Sequence, residues 1–182
     1  MTPTPTVLLL PGWLDSGPGH WQTIWEAGSG FVRVKQHAWV WPRQGDWMAR
    51  LEETVLDTPG PLRIAAHSLG CHLAAAWAAH SAHRDRIQAA LLVAPPDLAR
   101  ADLPPQLAAW PPPVRAPLPF PALVVGSGDD PFSSIDATER LARDWGAALW
   151  RLDGAGHINA DSSLGAWPEG LARLRALGSC PR

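Results

Sequence analysis

Three residue types that together can cleave an acyl bond occur in this chain in a workable order: a serine at 68, two aspartates at 129 and 130, and a histidine at 157. Ser68 sits in Ala66-His67-Ser68-Leu69-Gly70, where an apolar run from Leu62 to Ala66 gives way to the helical stretch Leu73-Ala74-Ala75-Ala76-Trp77. A strand that becomes a helix within about two residues, and still lifts a serine Oγ clear of the backbone, needs small neighbours around the serine. This is the form of a nucleophile elbow, Gly-x-Ser-x-Gly, with Ala66 in the first glycine's place. One methyl is tolerable there, because the tightest helix–strand approach falls nearer Gly70.

A serine hydroxyl is a poor nucleophile until an imidazole takes its proton during attack, and the imidazole needs a carboxylate to fix its tautomer and stabilise its charged form. His157, in Gly154-Ala155-Gly156-His157, and the acidic turn Gly126-Ser127-Gly128-Asp129-Asp130-Pro131-Phe132 supply both. Asp130 is the expected carboxylate, because Pro131 holds it extended. Asp129 is then expected to brace the turn. Asp153 is the outside candidate, close to His157 on the same loop. An oxyanion needs two donors: the N–H of Leu69, after the nucleophile, and the N–H of Trp13, in Leu10-Pro11-Gly12-Trp13-Leu14 after the first strand.

The elements that must position these residues alternate along the chain. Residues 6–10, 31–37, 62–66, 89–94, 122–126 and 147–152 read as strands, rich in Val, Leu and Ile and mostly without polar alternation, as in strands buried on both faces. Residues 20–27, 46–56, 69–82, 135–145 and 164–177 carry helical spacing. The pattern predicts an α/β fold with a parallel sheet of about six strands and helices on both faces. The strands' carboxyl ends then share one edge, where Ser68, the acidic turn and His157 can meet. The order Ser, Asp, His is that of an α/β-hydrolase triad. The proline-rich stretch 104–121 is expected to be a stiff surface crossover loop rather than a lid.

A length of 182 residues with 46% hydrophobic content suits one core, so one domain over 1–182 is expected. A net charge of −2, without a basic cluster, argues against nucleic-acid binding. The start, Met1-Thr2-Pro3-Thr4-Pro5, lacks a basic leader, and the apolar run after it is too short for a signal core or a membrane span; a cytoplasmic protein with no membrane association is expected. Cys71 and Cys180 lack disulfide-scaffold or metal spacing, and read as a packing residue and a tail residue. His80 and His83 read as a solvated helix face, His67 and His72 as packing or supporting residues. The loop Asp15-Ser16-Gly17-Pro18-Gly19 matches no phosphate-binding spacing, and neither metal nor cofactor is implied.

Pro11-Gly12-Trp13-Leu14-Asp15-Ser16 with His20-Trp21-Gln22, the elbow at Ser68, Asp129-Asp130-Pro131-Phe132 and Gly156-His157 together resemble the small serine hydrolases of the retinoblastoma-binding protein 9 type, over nearly the whole chain. The resemblance implies a compact α/β-hydrolase fold without a large cap, a triad of Ser68, Asp130 and His157, and His20 and Trp21 near the site's mouth. The Leu-x-Cys-x-Glu stretch associated with retinoblastoma-protein binding is missing, since Leu69-Gly70-Cys71-His72-Leu73 ends in leucine, so that partner is not implied and any protein partner is unknown. Among the aromatic and apolar residues near strand ends, Trp13, Leu14, Trp21, Trp39, Trp41, Phe132 and Ile158 are candidates for an apolar wall. The expected substrate-contacting set is Leu14, His20, Trp21, Phe132 and Ile158. The expected activity is hydrolysis of small carboxylic esters or related acyl compounds through an acyl-enzyme. The alternatives are an amide, peptide or thioester substrate, or a non-enzymatic binding module on the same fold.

Overall fold

Side chains on successive strand residues point to opposite faces, so an apolar strand covered on both sides must find two helical layers to bury it. The computed structural model, which describes residues 4–178, shows that arrangement. The strands are β1 (Thr6–Leu10), β2 (Val32–Arg33), β3 (Leu62–His67), β4 (Ile87–Val93), β5 (Ala122–Ser127) and β6 (Ala148–Leu152). They form one parallel sheet in the order β2-β1-β3-β4-β5-β6. The helices are α1 (Trp21–Ser29), α2 (Gln44–Asp57), α3 (Leu69–His80), α4 (Ile135–Asp144) and α5 (Pro168–Ala176). Cys180 and Met1-Thr2-Pro3 lie outside the described residues.

Leu8, Leu10, Ile64, Ala66, Leu92 and Val124 face the layer of α2, α3 and α4. Their neighbours Val7, Leu9, Ala65, Leu91, Val93 and Val125 face α1 and α5. Every residue of α3 from Leu69 to Ala78 is buried, and its many alanines let it lie close against the sheet. On the other side the indoles supply volume: Trp21 meets Trp25 and Trp167 edge to face, while Trp150 stacks on Trp167 at 15°.

Five expectations need correction. The ladder of β2 covers Val32–Arg33 and not 31–37: beyond the pairing of the Val34 N–H with Leu9 O, the chain turns away to cover the loop after β1. As sheet edges, β2 and β6 are also partly exposed and not buried on both faces. The last helix begins at Pro168, not at 164, since proline suits the first helical position and Trp167 before it takes a left-handed φ of 40°. The proline-rich stretch is less superficial than expected: Leu107, Trp110 and Phe120 are buried against the α3 side of the core, and the Trp145 indole donates to Val114 O at 2.9 Å. His83, read as solvated, bonds Glu52 of α2 at 2.6 Å, and Glu52 also accepts from Trp77 and Ser81 of the α3 end, tying the two helices together.

The chain runs outward from β1 to β2, then returns to the other flank of β1 as β3, so the loops leaving β1 and β3 diverge and open a crevice at the carboxyl edge. Below that crevice the two strands are nearly interlocked. A Cβ on Gly70 would lie 2.3 Å from Leu10 O, and one on Gly12 would lie 2.7 Å from the Ser68 Cβ. Gly70→Ala is expected to cost about 3 kcal/mol or more, since backbone cannot give way to the methyl. Gly28→Ala, on an exposed stretch of α1 with nothing within 4 Å, should instead stabilise by roughly 0.5–1 kcal/mol. Denaturant unfolding of the two variants checks this opposition of sign.

Candidate active site

At the end of β3 the backbone of Ser68 takes φ 53° and ψ −123°, a conformation that costs a non-glycine residue about 1–3 kcal/mol. Its N–H donates to Val93 O at 2.8 Å and its carbonyl accepts from the Cys71 N–H at 3.0 Å, so the turn is held from both sides. A serine at a helix N-cap ordinarily spends its hydroxyl on the helix's first amides. Here it makes no cap bond, and the Oγ lies 2.9 Å from His157 Nε2.

The other face of that imidazole meets a carboxylate. His157 Nδ1 lies 3.0 Å from both oxygens of Asp130, whose side chain is only 3% exposed. Asp130 Oδ1 also accepts the Phe132 N–H at 2.9 Å, closing a turn around Pro131 that aims the carboxylate at the imidazole. Nδ1 therefore carries the proton toward the acid and Nε2 presents its lone pair to Ser68. Asp129 bridges two loops: its Oδ1 accepts from Ser127 Oγ at 2.5 Å and from the Gly156 N–H at 2.9 Å. Those two bonds hold its carboxyl below the usual range. The His157 carbonyl accepts from His67 Nε2 at 2.9 Å, and the next carbonyl, of Ile158, accepts the Trp21 indole N–H at 3.0 Å. The imidazole's backbone is thus tied to β3, β5 and α1.

The cleft that holds Ser68 is also lined by Leu69 and Trp13, whose amides are the expected oxyanion donors. Leu69 opens α3, so its N–H is one of the donors a helix start leaves free, at the positive end of the helix dipole. The Trp13 N–H donates no hydrogen bond among the described residues. Its loop is fixed by the Trp13 indole on Val40 O at 2.9 Å and by the Asp15 N–H on Gly12 O at 3.2 Å. Under it Gln22, fully buried, donates to Leu10 O at 3.1 Å and Ala65 O at 2.9 Å, stitching β1 to β3 where their own ladder ends.

Ser68 and His157 open onto a cleft of about 450 Å³. Leu14, Asp15, Gly17, His20, Asn159 and Ala160 border it on one side. On the other, Leu103, Pro104 and Leu107 join Pro131 and Phe132, and the Asp97 N–H on Phe132 O at 3.0 Å joins those two segments. Arg100 and Asp102 on this second wall pair with each other at 2.8 and 2.5 Å, so their charges cancel locally.

A family model described as serine hydrolase matches residues 7–176. The chain belongs to the serine hydrolase family. Among solved structures, a YdeN-like hydrolase from Pectobacterium atrosepticum is 28% identical, with a TM-score of 0.83 over 95% of this chain and 90% of that one. The ydeN gene product of Bacillus subtilis is 20% identical, TM-score 0.72, over 94% and 97%. Mouse alpha/beta hydrolase domain-containing protein 10 is 15% identical, TM-score 0.67, over 95% and 91%, and speaks for the fold alone. No curated protein sequence matches the chain. This hydrolase has the compact α/β-hydrolase fold that its sequence predicts.

In this hydrolase the structure brings together Ser68, Asp130 and His157, and sets Trp13, Leu69, Leu14, His20 and Phe132 on the cleft. It does not set Trp21 or Ile158 there: both are buried in the α1/α5 core, because the indole reaches under the His157 loop to bond it and Ile158 turns inward at φ 51°. Trp39 packs on the core and Trp41 is exposed, so neither lines the cleft. The sequence reading missed the cleft residues from Arg100 to Leu107; their place directly after β4, at the same carboxyl edge, is the signal that could have found them.

Three histidines around this hydrolase's site are buried in the neutral form. Burial, with Arg33 and His157 nearby, brings His20 down to about 4. Burial brings His72 to about 4, despite its bond to Pro96 O, and pushes His67 well below its usual value. The unfolded chain binds protons on these groups near pH 6.5 and the folded one does not, so their contribution is complete above about 6.5 and is lost as pH falls toward the folded values. The gap is worth about 3 kcal/mol for each of His20 and His72. Urea midpoints should fall steeply from pH 7 to 4.5, and His72→Gln should flatten that slope.

Proposed function

We propose that the protein hydrolyses small carboxylic esters, or closely related acyl compounds, through a covalent acyl intermediate on Ser68. The observation that carries the reading is the continuous hydrogen-bonded chain from Asp130 through His157 to a strained Ser68 on the floor of the cleft. Ser68 Oγ attacks the substrate carbonyl as His157 Nε2 takes its proton, while Asp130 holds the tautomer and stabilises the imidazolium. The Trp13 and Leu69 amides receive the oxyanion. Collapse expels the alcohol, which takes the proton back from His157, and water repeats the sequence in reverse to free the acid. Among the cleft residues, Leu14, His20 and Phe132 are the proposed substrate contacts, and the apolar second wall supports a small hydrophobic group beside the scissile bond.

Within its family we place the chain with the small hydrolases of the retinoblastoma-binding protein 9 type, on the motifs at 11–16, 20–22 and 129–132. We read it as one catalytic domain whose partner is a small-molecule acyl substrate. Its location in this reading is the cytoplasm, in keeping with a free, buried Cys71. Among the described residues no helix is long and apolar enough to cross a membrane.

A fluorophosphonate probe should label the protein, and Ser68→Ala should abolish labelling; label persisting on that variant would rule out the nucleophile. Asp130→Asn should keep the fold but lower kcat on the order of 10³- to 10⁴-fold, as the imidazole loses its tautomer. A series of 4-nitrophenyl esters from acetate to decanoate should give highest kcat/KM at short chains, and a maximum at the longest would contradict the small pocket.

A further inference from the structure

One buried polar group that lines the cleft with Ser68 is left over, among the described residues, when the triad, the oxyanion amides and their supports are assigned. His20 caps α1: its Nδ1 accepts the Gln22 N–H at 3.1 Å. A ring nitrogen that accepts carries no proton, so in the neutral imidazole the hydrogen is on Nε2. Burial and the nearby Arg33 keep the ring neutral at ordinary pH. His20 is 4% exposed, and its Nε2 is buried with no partner among the described residues. The large majority of buried polar side-chain atoms in folded proteins are paired, because an unpaired one forfeits its hydration without return. Among the described residues Gln36, Arg63, His72 and Trp110 also hold one such unpaired atom each, and of these five residues His20 alone lines the cleft.

The neighbours do not satisfy it. His67 meets His20 edge to face at 4.5 Å between ring centres, and no hydrogen bond joins them; His67 Nε2 is taken by the His157 carbonyl. The other charged and indole groups near the cleft are engaged: Arg33 with Asp15 and Glu26, Arg100 with Asp102, the Trp13 indole with Val40 O. His20 itself borders the cleft together with Ser68 and His157. The cleft therefore combines apolar side chains at Leu103, Pro104, Leu107 and Phe132 with a lining histidine whose neutral donor, of fixed orientation, no described residue uses.

We propose that the His20 Nε2–H donates a hydrogen bond to the substrate, and that the site selects acyl compounds carrying an oxygen acceptor a few bonds from the scissile carbonyl over their purely alkyl isosteres. The proposal rests on Ser68 being the nucleophile of an ester hydrolase, and adds the substrate class. A substrate with an ether, hydroxyl or second carbonyl oxygen at that distance pairs the donor as it enters. One with a methylene in its place leaves the donor buried and unpaired, the situation in which sites discriminate most sharply. His20 is thus a specificity-determining residue, and its capping of α1 fixes the tautomer that lets it act.

Two isosteric pairs separate an acceptor in the acyl half from one in the alcohol half: 4-nitrophenyl methoxyacetate against butanoate, and 2-methoxyethyl acetate against butyl acetate, each rate divided by that with hydroxide. The wild-type protein should favour the oxygen-bearing member of at least one pair. His20→Asn, which keeps a cap acceptor near Nδ1 but removes the distal donor, should lose about tenfold of that preference. His20→Gln, which sets an amide N–H near the Nε2 position, should recover part of it. A preference ratio unchanged by His20→Asn in both pairs would overturn the proposal. A second readout leaves His20 in place: in Ser68→Ala protein, the Nε2–H resonance of His20 should move downfield on saturation with the preferred oxygen-bearing ester and not with its isostere. A resonance that moves with neither ester would overturn the donor role even if the substituted proteins fail to fold. Absence of ester turnover by wild-type protein would count against the nucleophile assignment, and the resonance would still decide the donor.

Discussion

The contact on which the site depends is the near-collision of two backbones where β1 and β3 part. Leu10 O sits where a side chain on Gly70 would begin, and Ser68 Cβ sits where one on Gly12 would begin. This closeness sets the Trp13 loop against the turn at Ser68 and the start of α3, so that Trp13, Ser68 and Leu69 line one cleft. Strands that diverge lose ladder partners at their ends, and Gln22 replaces them with a buried side-chain amide on Leu10 O and Ala65 O. The strain at Ser68 is sustained by this frame, and further positive φ angles at Leu14, Asp15, Ala94 and Ile158 lie in loops at the same edge. Strain concentrated along one rim is the usual mark of a place kept for chemistry.

The carboxylate and the imidazole are held by a different logic. Neither belongs to a helix or strand, so their precision comes from hydrogen bonds between loops. Ser127 and Asp129 fasten the loop after β5 to the loop after β6 through the Ala155 and Gly156 amides, while His67 and Trp21 secure the carbonyls of His157 and Ile158. Two adjacent aspartates thus divide the labour: Asp130 faces the imidazole, and Asp129 fixes the distance across which it does so.

How far the sequence could be read follows from how local each signal is. The six strands and the serine turn were legible because periodicity and small residues act within a few positions, and the meeting of Ser68, Asp130 and His157 followed from the shared edge of a parallel sheet. The fates of Trp21 and Ile158 were not, since whether an indole fills a core or a wall depends on which loop it meets 137 residues away. The same holds for the proline-rich stretch. Its prolines forbid a regular helix or an inner strand, but only the partners of Leu107, Trp110 and Phe120 reveal that it is seated on the core. The motif His20-Trp21-Gln22 set His20 near the mouth, but its orphaned nitrogen was invisible, because which ring nitrogen keeps a partner depends on contacts that no local pattern records.

One wall of the cleft is drawn from the irregular stretch between β4 and β5, which has its own anchors in the core and meets the acidic turn through the Asp97 N–H on Phe132 O and Arg100 on Pro131 O, with no hydrogen bond to Ser68 or His157 among the described residues. Insertions or exchanges there can reshape what the enzyme accepts while the reacting groups keep their spacing. Over generations, then, diet and machinery can drift apart: the same catalytic apparatus can be inherited intact by descendants that consume quite different molecules.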